Sequence, residues 1–169
     1  MNYFGNRITY REFFKNIDKV AKAFYAIGIR EGDIVTIASM HTPETIYIIY
    51  GLNKIGAVAN MVYLTLSASE IIENIKSTDS KAFIYLAMIQ EKGKAIEKEL
   101  PDIKTILLDV SNSMPWYLKC AYKLKNKKDI SGKAYSFKNF LSLGEDVVVK
   151  DIPYTKNAPA VIVYTSGTT

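Results

Sequence analysis

Two rhythms of apolar and polar residues take turns along this chain. Phe13, Ile17, Val20, Phe24 and Ile27 recur at helical spacing and form one apolar stripe. Thr9-Tyr10-Arg11-Glu12 ahead of the stripe has the form of a capping box, and Gly28 behind it is placed for the C-cap. After the turn Arg30-Glu31-Gly32-Asp33, the β-branched run Ile34–Ala38 predicts a buried strand. Thr42 and Pro43 open a second helix, with proline at its first position. Ile46, Ile49, Tyr50 and Asn53 share one face of that helix, and Gly56 ends it. Residues 58–63 predict the next strand. Ser67-Ala68-Ser69-Glu70 is a further capping box, opening a helix that carries Ile71, Ile72 and Ile75. Residues 82–85 predict a short strand, 88–100 a helix stopped by Pro101, and 105–108 another strand.

Strands alternating with helices predict an α/β fold with a largely parallel sheet and flanking helices. In such sheets ligands sit beyond the carboxyl ends of the strands. From Asp109 to Ser142 the regularity weakens. Ser111-Asn112-Ser113 is a turn cluster, Trp116–Lys125 a short basic helix, and 126–133 a polar linker. Ser136 caps a helix running through Phe140 and Leu143. Val147, Val148 and Val149 predict an edge strand, and Ile152 to Pro159 a connector. Ala160-Val161-Ile162-Val163 is the final apolar strand.

Composition narrows the class. A chain of 169 residues with 49% apolar content is long enough for one domain with a sizeable core. No stretch reaches the roughly 20 apolar residues needed to span a bilayer, and the N-terminus has no signal-peptide pattern. One cysteine, Cys120, excludes an internal disulfide and any multi-cysteine metal site. It reads as a small buried or half-buried thiol, in a reducing, cytoplasmic setting. The net charge of +5 is local, because Lys119, Lys123, Lys125, Lys127, Lys128 and Lys133 face the single acid Asp129. No nucleic-acid partner is therefore expected. Trp116 to Lys128 has two readings. One is a basic amphipathic helix that makes peripheral contact with an anionic membrane. The other is a solvated surface helix whose lysine stems cover apolar residues. His41, the only histidine, reads as a structural residue where strand becomes helix. Glu44, Glu70 and Glu73 fall on helix starts, where they complement the dipole.

The most informative chemistry lies at the C-terminus. Tyr164-Thr165-Ser166-Gly167-Thr168-Thr169 is a small-residue turn, rich in hydroxyls, that follows an apolar strand. Glycine lets a backbone approach closely, and neighbouring N–H groups and hydroxyls offer donors to anionic oxygen. A helix N-terminus commonly follows such a loop.

That run resembles the opening of the ATP-phosphate signature in adenylate-forming enzymes, the AMP-dependent synthetases and ligases. These comprise acyl-CoA synthetases, peptide-synthetase adenylation domains and luciferases. Their loop continues with a Gly-x-Pro-Lys-Gly segment. Thr9, Tyr10 and Glu12, then Gly32-Asp33, Pro43-Glu44 and Gly56-Ala57 match further positions of an acyl-CoA synthetase N-terminal portion in order. His41 stands where the family often has asparagine. The resemblance runs from about Ile8 to Thr169, so residues 1–169 are expected to be an incomplete N-terminal portion of an AMP-binding domain.

The resemblance implies ATP, Mg²⁺ and coenzyme A as cofactors of the parent, and a carboxylic acid, expected to be a fatty acid, as substrate. Thr165, Ser166, Gly167, Thr168 and Thr169 are implied as nucleotide-phosphate contacts; no catalytic residue and no metal ligand is assigned. The expected function is an ATP-dependent carboxylate–CoA ligase that forms an acyl-adenylate and then an acyl-CoA, the 169-residue chain alone being inactive. A piece of an amino-acid adenylation domain and a non-catalytic interaction module of the same fold stay open as alternatives. Apolar faces expected to be exposed on the last strand, Ala160–Val163, predict self-association, most simply as a homodimer.

Overall fold

The computed structural model describes residues 1–125, 132–150, 152–153 and 155–165. A short hairpin, β1 (Asn2–Tyr3) and β2 (Asn6–Arg7), precedes helix α1 (Tyr10–Ala26). There follow β3 (Ile34–Ala38), α2 (Pro43–Lys54), β4 (Val58–Met61), α3 (Ala68–Ser77) and β5 (Ala82–Leu86). A 3₁₀ turn, Ala87–Ile89, leads into α4 (Gln90–Glu99), then β6 (Lys104–Leu108) and α5 (Trp116–Lys125). The remainder is β7 (Tyr135–Ser136), α6 (Phe137–Ser142) and β8 (Val161–Val163). The sheet of six strands has the order β7-β6-β5-β3-β4-β8, and every pairing in it is parallel. The expected α/β architecture is therefore the observed one.

Local chemistry explains where the helices begin. Thr9 accepts from the Glu12 N–H while the Glu12 carboxylate accepts from the Thr9 N–H at 2.8 Å, a complete capping box. Ser67 and Glu70 repeat this at α3. Thr42 caps α2, whose first residue is Pro43. Gly28 and Gly56, at φ +90° and +72°, end α1 and α2 in the left-handed region that glycine tolerates.

Helices cover both faces of the sheet, which is why its strands read as continuous apolar runs rather than alternations. On one face Val35, Ile37, Ala59, Ile84 and Ile106 pack with residues of α1, α2 and α6. On the other, Phe83, Tyr85 and Leu107 pack with Ile71 and Ile75 of α3 and Ile96 of α4. That second face also buries a polar cluster. Asn60 donates to Thr36 Oγ1 at 2.9 Å and to Asn74 Oδ1 at 2.7 Å, and the Thr36 and Ser80 hydroxyls bond at 2.7 Å.

Several expectations need correction. Ile46, Ile49, Tyr50 and Asn53 do share a face of α2, but it is the outer one. Glu44, Tyr47, Ile48, Gly51 and Leu52 are buried instead, because α2 is pressed between α1 and β4. Val147 to Val149 form no strand, and Val148 is exposed. The edge position beyond β6 is taken by Tyr135–Ser136. Cys120 is exposed on α5 rather than buried. The strand at 58–63 ends at Met61, where the chain turns toward α3.

Candidate functional site

A cleft of about 750 Å³ opens at the carboxyl edge of the sheet. Residues 39–42 after β3, 62–65 after β4, Ala87 and Met88 after β5, and Val110 and Met114 after β6 form its floor and walls. Tyr3 and Phe4 from the N-terminal hairpin and Tyr122 from α5 close one side. β3 connects to a helix on one face, β4 and β5 to helices on the other. The loops diverge there and leave a crevice, as at the switch points of open parallel sheets. The lining is mostly apolar, with Met40, Tyr63 and Met88 each half-exposed or more.

Hydroxyls set the turn after β3. Thr45 Oγ1 donates to the Met40 carbonyl at 2.7 Å, and the Ser39 and Thr45 hydroxyls bond at 2.7 Å. His41 projects from this turn, is exposed, and lines the cleft. Among the described residues no group of three His, Cys, Asp or Glu side chains could hold a metal ion.

One wall carries buried acid chemistry. Glu44, at the second position of α2, is buried, and its carboxylate accepts from Ser113 Oγ. Burial pushes its carboxyl above the ordinary range, against the opposing pull of that hydrogen bond. Burial also raises the Tyr3 hydroxyl, with the negative charge of Glu44 adding to the shift, and the Tyr122 hydroxyl is raised by burial and then Asp109. The hairpin is tied onto this wall, since Tyr3 donates to the Val110 carbonyl at 3.2 Å and Asn6 to the Ser113 carbonyl at 3.0 Å. The reading of Glu44 as a dipole-complementing helix start is too simple: the fold closes over it.

The predicted phosphate-facing run is reached by β8. This strand pairs in parallel with β4, Ala59 opposite Val161 and Met61 opposite Val163. Tyr164 and Thr165 therefore leave the sheet at the same edge as the cleft. Tyr63, which lines the cleft, donates its hydroxyl to the Tyr164 carbonyl at 3.0 Å. Thr165 is exposed there. Ser166, Gly167, Thr168 and Thr169 lie outside the described residues.

Sequence reasoning missed the hairpin and its contribution to the cleft. A signal existed in Asn2 and Gly5: the Asn2 carboxamide accepts from the Gly5 N–H at 3.1 Å, and Phe4 and Gly5 adopt φ of 49° and 86°. Met88 and Met114 carried no periodic signal, because each lies in a loop or turn.

Helix α5 presents Trp116, Tyr117, Cys120 and Leu124 to solvent, Trp116 and Leu124 being nearly four-fifths exposed. Its continuation from 126 to 128 lies outside the described residues. Among the described residues no helix is long and apolar enough to cross a membrane.

Comparison with known proteins agrees with this architecture. The 3-hydroxypropionyl-coenzyme A synthetase of Sulfurisphaera tokodaii is 28% identical over 164 residues, 96% of this chain and 24% of that protein. Acetyl-coenzyme A synthetase 1 of Saccharomyces cerevisiae is 25% identical, over 98% of this chain and 23% of its own length. The chain thus spans about a quarter of the curated relatives it matches. The adenylation domain of a carboxylate reductase from Mycobacterium chelonae superposes with a TM-score of 0.73 at 17% identity, covering 95% of this chain and 26% of that one. An acyl-CoA synthetase from Brucella canis gives 0.72 at 16% identity, over 95% and 26%. The AMP-binding enzyme family matches residues 1–169 without a break, and this chain belongs to it.

Proposed function

We propose that this chain supplies the first wall of the active site of an ATP-dependent carboxylate–CoA ligase. The observation that carries the reading is the meeting of two features at one sheet edge. β8 brings Tyr164 and Thr165 beside an apolar cleft of about 750 Å³, and Tyr63 touches both.

The chemistry runs in two steps. A carboxylate oxygen attacks the α-phosphorus of ATP, forming an acyl-adenylate and expelling pyrophosphate. The thiol of coenzyme A then attacks the acyl carbon, forming the thioester and releasing AMP. The first step concentrates charge on the triphosphate, so preorganised donors stabilise its transition state. Thr165, Ser166, Gly167, Thr168 and Thr169 are assigned to that role, with the Ser166 and Thr168 hydroxyls and the Gly167 backbone N–H as phosphate contacts. Mg²⁺, arriving with the triphosphate, would neutralise part of the charge.

The acid we assign is apolar, in keeping with the methionine and aromatic lining of the cleft, and a fatty acid is the first substrate class to test. A short acid is the second reading, favoured by the acetyl and 3-hydroxypropionyl names of the relatives. A cytoplasmic setting and peripheral contact of α5 with anionic membrane belong to the same proposal.

Pyrophosphate release by the ligase that contains this chain, measured over a panel of straight-chain acids, tests the reading. We expect activity that requires an acid and ATP, and none from the 169-residue chain alone. Selective response to amino acids would move the function to amino-acid adenylation. Loss of no activity on replacing Ser166 and Thr168 together by alanine would remove the phosphate assignment.

A further inference from the structure

The final strand is short and lies at the edge of the sheet. It has three residues and, among the described residues, pairs with β4 alone. Edge elements with few partners open easily, yet the residues that follow β8 must be held still if they are to meet a phosphate. Side chains pin both its ends. At the start, Asn53 of α2 donates to the Ala160 carbonyl at 2.9 Å. At the exit, Tyr63 donates to the Tyr164 carbonyl at 3.0 Å.

Tyr63 itself sits on a turn that needs support. The Leu66 N–H closes the turn onto the Tyr63 carbonyl at 3.3 Å. Its Leu64 and Leu66 carbonyls converge on one ammonium group: Lys92 of α4 donates to them at 2.9 Å and 2.7 Å. An ammonium has three donors and no acceptor, so it gathers carbonyls that would otherwise repel one another. The Lys92 charge also reaches Glu70, whose carboxyl is lowered first by the Ser67 hydrogen bonds and in smaller part by Lys92. Glu70 is already committed to the α3 cap through Ser67 at 2.7 Å. Lys92 is half-buried and lies among carbonyls and a capped helix start, outside the cleft lining.

We propose that Lys92 is a positioning residue for the nucleotide-binding edge: its ammonium fixes the 63–66 turn, and Tyr63 passes that placement to Tyr164 at the exit of β8. The phosphate part of this inference rests on the ligase reading above; the mechanical part does not. Lys92 holds no substrate atom. It sets where Tyr63 stands, and Tyr63 sets where the chain leaves the sheet.

Amide hydrogen exchange by mass spectrometry, read at 161–164 and at 64–67, separates the links. With Lys92→Met, exchange is expected to quicken about fivefold in both segments, the loss of hydrogen bonds of ordinary strength. Lys92→Arg, which can also donate to both carbonyls, should restore the wild-type rates. Tyr63→Phe removes one exposed hydroxyl without disturbing the core, and should quicken 161–164 alone. Faster exchange at 64–67 with 161–164 unchanged in Lys92→Met overturns the relay, and so does an unchanged 161–164 in Tyr63→Phe. In the ligase containing this chain, Lys92→Met and Tyr63→Phe should raise KM for ATP by a similar factor, about threefold to tenfold, and the double variant by no more than either. Quickened exchange with an unaltered KM for ATP would leave the relay standing and overturn its role at phosphate.

Discussion

Gly51 of α2 lies directly against Val20 of α1. A Cβ placed on Gly51 would come within 2.8 Å of Val20 Cγ1 and 3.2 Å of the Ala21 backbone nitrogen. The two helices meet here because glycine leaves room that no other residue would. Gly51→Ala would gain about 1 kcal/mol of helix propensity, but overpacking a seam costs about 1–3 kcal/mol. We expect a lower melting temperature for Gly51→Ala, with partial recovery when Val20→Ala is added. A higher melting temperature for the single variant would mean that the seam has slack.

Glu44 gives the protein a pH-dependent stability of definite sign. Burial holds its carboxyl above the ordinary value of 4.5. The folded state therefore binds the proton more tightly than the unfolded one. That contribution is fully present below 4.5 and is lost as pH rises through the raised folded value. Melting temperatures from about pH 4 to 8 should fall more steeply in wild type than in Glu44→Gln, which carries no titrating group. Ser113→Ala removes the hydroxyl that stabilises the carboxylate and should steepen the fall. Identical pH profiles for wild type and Glu44→Gln would sink the idea.

Asn60 stands fully buried in the sheet, where its carboxamide joins Thr36 of β3 to Asn74 of α3. Asn60→Ala would take this donor from the fully buried Thr36 Oγ1 and from the half-buried Asn74 Oδ1. Stranding a buried polar group costs about 1–3 kcal/mol, and each kcal/mol shifts the melting temperature of a domain this size by about 2–4 °C. Thermal unfolding of the variant measures this directly, and a shift below 1 °C or so would show the network to be dispensable.

The outer edge of β8 offers Val161 and Val163, 39% and 68% exposed, and a backbone edge that no strand among the described residues covers. Open apolar edges invite pairing with another chain. Light scattering on the 169-residue chain should show association that grows with concentration, most simply a symmetric dimer. Val163→Lys should shift it toward monomer. A monomer at high concentration in the unaltered chain would count against edge pairing.

Helix α5 sets Trp116, Tyr117 and Leu124 in solvent on a lysine-rich segment. Sedimentation with anionic liposomes should carry the chain down at low salt and release it at high salt, where surface charges are screened. Lys119, Lys123 and Lys125 changed together to Glu should abolish binding. Failure of the unaltered chain to bind would leave α5 as an ordinary surface helix.

Much of the fold was legible because its signals are local. Thr9 with Glu12, Ser67 with Glu70 and Thr42 with Pro43 mark helix starts through contacts spanning three residues or fewer, so the sequence alone contains both partners. The β-branched runs likewise announce strands, and their unbroken apolar character announces a sheet covered on both faces.

What the sequence by itself determined was therefore the kind and order of the helices from α1 to α4 and of the strands from β3 to β6. Tertiary structure decided which elements meet. Nothing local states that β8 joins β4 across about a hundred residues, that Tyr63 reaches Tyr164, or that the hairpin folds onto the loop after β6. Nor does periodicity say which side of an apolar-rich helix is covered, so the inner face of α2 and the burial of Glu44 emerged only with α1 and Ser113 in place. The physical reason is common to all of these. Hydrophobic pattern and capping act between near neighbours, whereas strand order, register and the closing of a cleft depend on contacts between distant residues that form only when the whole sheet assembles.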